Sequence, residues 1–560
     1  MNKVCKNCGE VFEVMETDLA FLESVSPVFN DKKYNIPAPA LCSECRQQRR
    51  LAWRNEKTLY KRKCDFSGDD IISVFSQDKP FVVYNNDYWN SDKWNAFDYG
   101  RDFDFNRPFF EQFEELLHKV PQLARSVTGN YNSDYVNQAG WNKNCYLIFE
   151  ADNCENCMYS LYIYESKSCL DLFSGYRCEL CYDCLNCQNS YNLKFSQNCK
   201  SCSDSFFLKD CIGCQNCFGC VNMRNKKFYF LNKQCTEEEY QKNISTVDLS
   251  IYRSIELMKN NFQKFVMKFP HKYINGFQNE NSSGDYLWNT QRCVNCFDLE
   301  NSQDCKNVTN ARNIRNTMDL TVFGANKGVD FSYDSHELGE AVRNVCFSDQ
   351  IWEGCSDLYY SKLCTKNCNN LFGCIGLKHQ QYCILNKKYS EDEYNNLAVK
   401  IIEHMKKTGE WGEFFSVKNS PFAYNETSAQ AYYPLTEKES LAKGYKWKPI
   451  DKKEYQKSNY KIPEKIKDVD DGIVNEILAC EKCGKNYKIS VSELDFYKKM
   501  KLPVPPECFD CRNSKRFLLK NPRKLFDRKC AKCGIDFQTT YSPDRSEKIY
   551  CEECFLKEVD

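Results

Sequence analysis

The sequence lacks a surplus of either charge, since its 560 residues contain 77 Lys and Arg against 77 Asp and Glu. This balance excludes a nucleic-acid coat that works through overall basicity, although local basic patches remain open. The sequence also lacks any run of about 18 apolar residues, so no membrane span is expected. Its start, from Met1 to Cys5, has no apolar stretch of signal-peptide length. We therefore expect a soluble, cytoplasmic protein with no membrane partner.

Catalytic signatures are missing as well. The sequence contains no Gly-x-x-x-x-Gly-Lys-Ser/Thr, Gly-x-Gly-x-x-Gly, His-Glu-x-x-His or Gly-x-Ser-x-Gly motif. Histidine is scarce, with 5 residues, and none of them lies near a Cys-x-x-Cys pair. We expect a protein that is not an enzyme.

Cysteine, in contrast, is abundant: there are 37, an odd number that excludes complete disulfide pairing. In a reducing compartment, clustered cysteines usually serve as metal ligands. Both ends of the chain carry Cys-x-x-Cys pairs, and two such pairs supply the four thiolates of a tetrahedral zinc site. The spacing predicts three zinc sites with these ligands: Cys5, Cys8, Cys42 and Cys45; Cys480, Cys483, Cys508 and Cys511; Cys530, Cys533, Cys551 and Cys554.

The two ends are copies of each other. Residues 42–88 align without gaps to residues 508–554 at an offset of 466, with 14 of 47 positions identical. In the N-terminal copy, Cys64 matches a ligand of the last zinc site, but Ser67, Asn85 and Tyr88 replace its other three ligands. We expect this copy to keep a ribbon hairpin without metal.

The motifs at both ends resemble a known family. The segments from Ala479 to Gly484 and from Pro505 to Arg512, with Glu493 between them, are similar to the zinc-ribbon (treble-clef) domain of uncharacterised bacterial proteins. The N-terminal copy is similar, and each resemblance covers about 40 residues. The resemblance implies zinc binding and association with nucleic acid or the ribosome.

A basic segment follows the second cysteine pair of each module. In a treble clef that pair opens a helix, which would place Arg46, Arg49, Arg50 and Arg54 on one face. Such a stripe suits a phosphate backbone, and Trp53 could stack on a base, so we predict contact with nucleic acid, RNA more than DNA. The alternative is a solvated helix. The predicted contact residues are Arg46, Arg49, Arg50, Trp53, Arg54, Arg62, Lys63, Arg512, Lys515, Arg516, Arg523, Arg528 and Lys529.

The middle of the chain has a threefold rhythm. All fifteen cysteines from Cys145 to Cys235 are separated by multiples of three residues, a period that fits neither a helix nor an ordinary strand. A second array, from Cys293 to Cys383, keeps the period in pieces separated by phase slips. Each array ends at a capping box, Thr236 to Glu239 and Ser390 to Glu393, which predicts a helix start.

Three interpretations of the arrays stay open: a β-solenoid with cysteines stacked inward, a zinc or iron–sulfur protein, and a disulfide lattice. The overall prediction is a multidomain, mainly β protein in which zinc modules flank a duplicated Cys-rich solenoid with capping helices. Its divisions are 1–63, treble-clef zinc module; 64–128, degenerate ribbon with an aromatic and acidic segment; 129–235, solenoid; 236–275, helix; 276–389, solenoid; 390–447, helix and aromatic segment; 448–476, linker; 477–527, treble-clef zinc module; 528–560, zinc ribbon.

The predicted function is a non-enzymatic zinc scaffold that contacts RNA, the ribosome or another ribonucleoprotein. The alternatives are a metal or redox protein that uses the mid-chain thiolates, and a platform for protein–protein docking.

Overall fold

The computed structural model describes residues 1–324, 326–449, 455–458 and 460–559, and the chain is mainly β with two β-solenoids in the middle. Before the solenoids come an N-terminal module (residues 1–63), an N-terminal ribbon (64–88) and a connecting segment. Their elements are β1 (Asn2–Val4), β2 (Val11–Glu13), α1 (Glu16–Ser24), β3 (Val28–Phe29), β4 (Lys32–Lys33), α2 (Ser43–Leu51), β5 (Tyr60–Lys63), β6 (Asp70–Ser73), β7 (Val83–Tyr84), α3 (Asn86–Asn90), α4 (Phe109–Lys119) and β8 (Gln122–Leu123).

Solenoid 1 is an eleven-stranded sheet followed by two helices. Its elements are β9 (Val127–Thr128), β10 (Asn137–Gly140), β11 (Tyr146–Asp152), β12 (Met158–Tyr164), β13 (Leu170–Tyr176), β14 (Tyr182–Gln188), β15 (Tyr191–Lys194), β16 (Ser203–Phe206), β17 (Gln215–Phe218), β18 (Lys227–Phe230), β19 (Lys233–Gln234), α5 (Glu237–Ser245), α6 (Tyr252–Val266) and the separate strand β20 (His271–Lys272).

Solenoid 2 is a twelve-stranded sheet followed by three helices. Its elements are β21 (Gly276–Glu280), β22 (Gly284–Gln291), β23 (Cys296–Lys306), β24 (Thr309–Arg312), β25 (Ile314–Gly324), β26 (Val329–Gly339), β27 (Val342–Cys346), β28 (Asp349–Trp352), β29 (Ser356–Tyr359), β30 (Asn369–Phe372), β31 (Gln381–Ile384), β32 (Lys387–Lys388), α7 (Glu391–Thr408), α8 (Ser428–Tyr432) and α9 (Glu437–Ala442).

The C-terminal module (residues 477–527) and the C-terminal ribbon (528–559) complete the chain. Their elements are β33 (Leu478–Ala479), β34 (Asn486–Tyr487), α10 (Val491–Met500), α11 (Phe509–Phe517), β35 (Phe526–Lys529), β36 (Asp536–Thr539), β37 (Ile549–Tyr550) and α12 (Glu552–Val559). None of the helices in the described ranges has the length and hydropathy of a membrane-spanning segment.

The threefold rhythm of cysteine reflects a corner at every third residue of the solenoid. Tyr146 pairs in parallel with Met158, and Met158 with Leu170, so one coil takes 12 residues. Every third residue has a left-handed backbone, as at Asn144 and Asn153 with φ of 54° and 56°. Asparagine tolerates this conformation better than most residues. The residue after each corner is buried, so one position in three faces the core.

Cysteine suits these inward positions because it is small and can satisfy the backbone. The Sγ of Cys145 accepts a hydrogen bond from the backbone N–H of Cys157 in the next coil, at 3.4 Å. Serine does the same elsewhere, since the Oγ of Ser166 accepts from the N–H of Cys178 at 3.2 Å. All 37 cysteines are free thiols. The β-solenoid interpretation of the arrays is confirmed.

The phase slips of the second array correspond to longer coils. Ile314 pairs with Val329, so that coil has 15 residues, and Val329 pairs with Val342 after 13. The inward side chains stay in register across these longer coils, since the paired residues Ile314, Val329 and Val342 are all buried. The predicted capping boxes are confirmed at the starts of α5 and α7. The helix predicted for 236–275 is two helices, α5 and α6.

The predicted linker, 448–476, is only partly a spacer. Residues 450–454 and 459 lie outside the described residues. The following stretch packs into the protein: Ile466 is 7% and Ile473 0% exposed, and both join the core between solenoid 1 and the C-terminal module. Its few apolar residues, which lack helical spacing, are enough to anchor it.

The two halves of the chain are related by an approximate twofold symmetry. β7 pairs in parallel with β8, which leads into solenoid 1, and its counterpart β37 pairs in parallel with β20, which leads into solenoid 2. In the early coils, equivalent positions lie 148 apart, as do Asp171 and Asp319, which bind the equivalent arginines Arg512 and Arg46. Two such equivalent pairs touch: Asn310 donates to the hydroxyl of Tyr162 at 3.3 Å, and Arg312 lies over the ring of Tyr164. Contact between equivalent residues is the mark of a twofold interface.

Chain order differs between these halves. The first half runs module, ribbon, solenoid, helices, whereas the second runs solenoid, helices, module, ribbon. Because the ribbons make equivalent contacts in both, the second half is a circularly permuted counterpart of the first.

Candidate metal centres and the arginine helices

The twelve predicted ligands come together as three four-cysteine clusters, with all thiol sulfurs of a cluster within 4.8 Å of one another. Sulfur separations are 3.8 Å for Cys8 and Cys42 and 3.7 Å for Cys483 and Cys508. Tetrahedral zinc, with Zn–S distances of about 2.3 Å, requires sulfurs about 3.8 Å apart. The clusters therefore fit zinc in both donor type and size.

Backbone N–H groups donate hydrogen bonds to the first cysteine sulfur of a cluster and thereby favour its thiolate form. The Sγ of Cys5 accepts a hydrogen bond from the N–H of Cys42 at 3.3 Å, and the Sγ of Cys530 accepts from the N–H of Cys551 at 3.4 Å. Burial alone would raise the pKa of Cys530, but these amide hydrogen bonds outweigh it and lower the pKa to about 6. A lowered pKa favours the thiolate that binds zinc.

The N-terminal ribbon keeps this framework without the ligands. β5 and β6 pair in the same register as β35 and β36, at the offset of 466. The Sγ of Cys64 still accepts a hydrogen bond from the N–H of Asn85, at 3.3 Å. Phe66 packs at a tilt against the ring of Tyr88, which stands where the intact ribbon has its fourth ligand. Among the described residues, no metal-ligating group gathers around Cys64 or the mid-chain cysteines.

Helix α2 begins at the second cysteine pair, and its arginines pack against solenoid 2. Nε of Arg46 lies 2.9 Å from Asp319, and Arg49 and Arg50 each reach Asp334 at 2.6 Å. Burial alone would lower the pKa of Arg46, but the carboxylate of Asp319 outweighs it and raises that pKa. The arginine side chains are at most 9% exposed.

Helix α11 of the C-terminal module repeats these contacts on solenoid 1. Nε of Arg512 lies 2.9 Å from Asp171, and Arg516 reaches Asp171 at 2.7 Å and Asp183 at 2.9 Å. Arginines four residues apart rise about 6 Å along a helix, close to the spacing of about 4.8 Å between coils. Each helix can therefore engage aspartates on two successive coils. The N-terminal module docks on solenoid 2, although its ribbon pairs with β8, the strand that leads into solenoid 1. The C-terminal module docks on solenoid 1, although its ribbon pairs with β20, the strand that leads into solenoid 2.

A third contact ties the N-terminal module to both solenoids. Arg54 pairs with Glu56 of its own module at 2.7 Å, with Glu337 of solenoid 2 at 3.0 Å, and with Glu150 of solenoid 1. Its counterpart, Lys520, pairs with Asp298 of solenoid 2.

The expectation of an exposed basic stripe is wrong for most of its residues. Removing water from a guanidinium is unfavourable unless a carboxylate replaces it, and the solenoid corners supply those carboxylates. The residues predicted for nucleic-acid contact that are buried, or paired with solenoid carboxylates, are Arg46, Arg49, Arg50, Trp53, Arg54, Arg62, Arg512, Arg516 and Arg523. The others, Lys63, Lys515, Arg528 and Lys529, keep side chains or backbones that reach solvent.

Sequence reasoning missed the acidic partners. Asp171, Asp183, Asp319 and Asp334 occupy left-handed corners, where Asn is the commonest residue. The signal was Asp at the same corner of adjacent 12-residue coils, as at Asp171 and Asp183. This pattern of Asp residues can be recognised only once the coil length is known.

Comparisons with known proteins add little. No protein-family model and no curated protein matches the chain. One solved structure, named as an acetyltransferase from Desulfovibrio desulfuricans G20, is similar over 44% of this chain and 63% of its own, with 10% identity and a TM-score of 0.11. The chain spans less than two thirds of that protein, and a TM-score this low carries no argument.

Proposed function

We propose that the protein is a non-enzymatic zinc scaffold whose terminal modules dock on two solenoids through buried Arg–Asp pairs. We call each docked helix, α2 or α11, together with its solenoid aspartates a clasp. The observation that carries this proposal is the buried set of Arg–Asp pairs directly after each zinc knuckle. In each module the second cysteine pair begins the helix that carries the arginines, at Cys42 and Cys508. Zinc would fix the first turn of that helix and so aim its arginines at the solenoid.

A scaffold of this kind offers the outer ladders of its solenoids to a partner. One ladder alternates Lys143, Glu155 and Lys167 on successive coils, with the ion pairs at 3.9 and 3.3 Å and all three side chains well exposed. Mixed charge favours a protein partner over a phosphate backbone. Contact with RNA or a ribonucleoprotein stays a prediction, to be carried by exposed lysines such as Lys63 and Lys529.

Chelation of the full-length protein tests the clasp. We expect about three zinc ions per chain by elemental analysis, and we expect a strong chelator to expose α2 and α11 to limited proteolysis while the solenoids stay resistant. A Cys64→Ser variant is the matched control, because Cys64 lies in the ribbon that lacks ligands. Unchanged protection of both helices after complete loss of zinc would refute the role of the metal in docking.

A further inference from the structure

A small cavity lies where the N-terminal module meets both solenoids. It has a volume of about 30 Å³ and is lined by residues of all three parts, among them Trp53, Gln138 and His336. The segment before solenoid 1 contributes Gln122 and Arg125.

Four buried polar atoms of these lining residues have no hydrogen-bond partner among the described residues: Nε1 of Trp53, Nε of Arg125, Oε1 of Gln122 and Oε1 of Gln138. The amide nitrogen of each glutamine already donates a hydrogen bond, which fixes the orientation of its side-chain amide. Nε2 of Gln122 donates to the carbonyl of Val120 at 2.9 Å, and Nε2 of Gln138 donates to Glu337 at 3.0 Å. Both oxygens are therefore left for another partner. Trp53 and Gln122 are 2% and 0% exposed.

The chemistry of these atoms selects the ligand. Two are donors and two are acceptors, so a halide would meet the glutamine oxygens unfavourably and a metal cation would meet the N–H groups of Trp53 and Arg125 unfavourably. Water both donates and accepts. A water molecule needs about 10–15 Å³ of such space and two to four polar partners. We propose that this cavity binds two ordered water molecules that join the N-terminal module to both solenoids.

The approximate symmetry of the chain supplies an internal comparison. On solenoid 2, His336, Asp349 and Lys362 follow one another on successive coils beside the cavity; Nδ1 of His336 lies 2.5 Å from Asp349, and Lys362 pairs with the same carboxylate. The corresponding ladder of solenoid 1 is Leu185, Gln197 and Lys209, with Lys209 donating to Gln197 at 3.1 Å.

The ladder of solenoid 1 therefore lacks both the histidine and the carboxylate. Buried charges are favoured where polar partners surround them, and bound water beside His336 and Lys362 would provide such partners. His336 and Lys362 of the charged ladder line the cavity.

A crystal structure of the full-length protein at about 1.8 Å resolution tests the proposal. We expect two water peaks in the cavity, within hydrogen-bond distance of the four unpartnered atoms. In a Trp53→Phe variant, which keeps the ring volume closest, the peak next to Nε1 should disappear. A Gln197→Met variant, altered on the other solenoid, should keep both peaks.

Three results would overturn the inference: a cavity without density, a cavity closed by its own side chains, or an anomalous peak at the site after a bromide soak, which would identify an anion instead. Persistence of both water peaks in Trp53→Phe would show that the indole does not bind them.

Discussion

Replacing Arg50 by Met removes the most deeply buried guanidinium of the N-terminal clasp. Its side chain is 0% exposed, and Nη1 lies 2.6 Å from Asp334 while Nη2 lies 3.6 Å from Asp319. Removing one partner of a buried ion pair leaves an uncompensated carboxylate and costs about 3–5 kcal/mol. Arg49 and Arg46 still face the two aspartates, so we expect a cost near the lower bound, about 3 kcal/mol.

Hydrogen exchange of the α2 backbone is the assay, because a chain with several cooperative parts has no single free energy of unfolding. A cost of about 3 kcal/mol corresponds to roughly 100-fold faster exchange, since about 1.4 kcal/mol is tenfold. Lys63→Met is the matched control, since Lys63 is 60% exposed and pairs with an exposed Asp70. Its exchange should change by less than about threefold.

A double-mutant cycle with Asp334→Asn isolates the pair. The combined variant should be less destabilised than the sum of the single variants, with a coupling of about 1–3 kcal/mol. Equal exchange rates in Arg50→Met and Lys63→Met would refute the clasp. An exposed RNA-binding stripe predicts the opposite pattern: unchanged exchange, with a loss of salt-dependent RNA affinity.

Three further predictions concern the metal, the core and the pH. Cys483→Ser should lower the zinc content from three ions to two, whereas Cys64→Ser should leave three; native mass spectrometry decides, and an equal loss in both would contradict the assignment of ligands. Cys178→Ser should change the hydrogen exchange of solenoid 1 little, because serine occupies the same column at Ser166, whereas Cys178→Leu should cost about 1–3 kcal/mol by overpacking and speed that exchange; the reverse order would contradict the packing argument. Asp285 of solenoid 2 accepts a hydrogen bond from the hydroxyl of Thr540 in the C-terminal ribbon at 2.9 Å. Burial raises the pKa of Asp285 to about 6 from 3.8, so the contribution of Asp285 to stability is complete below pH 3.8 and is lost as the pH rises through 6. Asp285→Asn should therefore stabilise the ribbon contact at pH 8 by about 2–3 kcal/mol and flatten the pH profile of its exchange between pH 4 and 6; a variant as pH-dependent as the parent would contradict this.

Much of the candidate site was predictable because its signals are local. A Cys-x-x-Cys turn places two sulfurs together whatever the rest of the chain does, so Cys480 and Cys483 could be assigned as ligands from spacing alone. A capping box likewise acts within four residues, which is why the starts of α5 and α7 were correct. The inward direction of Cys145 and its relatives followed from the period of three.

The arginines show where such reasoning ends. Their helical spacing was correct, and so was their common face. Whether that face meets solvent depends on distant carboxylates, such as Asp319, 273 positions from Arg46, and Asp171, 345 positions from Arg516, and no local pattern encodes such contacts.

By itself, then, the sequence determined the three four-cysteine sets, the replacement of three ligand positions around Cys64, the threefold rhythm of the arrays and the helix starts that follow them. Only the tertiary structure decided that each module crosses to the other solenoid and that its arginines are ion-paired rather than free. The physical reason is the range of the interactions. Thiol spacing and corner conformation are properties of a few adjacent residues, whereas the desolvation of Arg50 depends on carboxylates that reach it only when the coils of solenoid 2 have stacked.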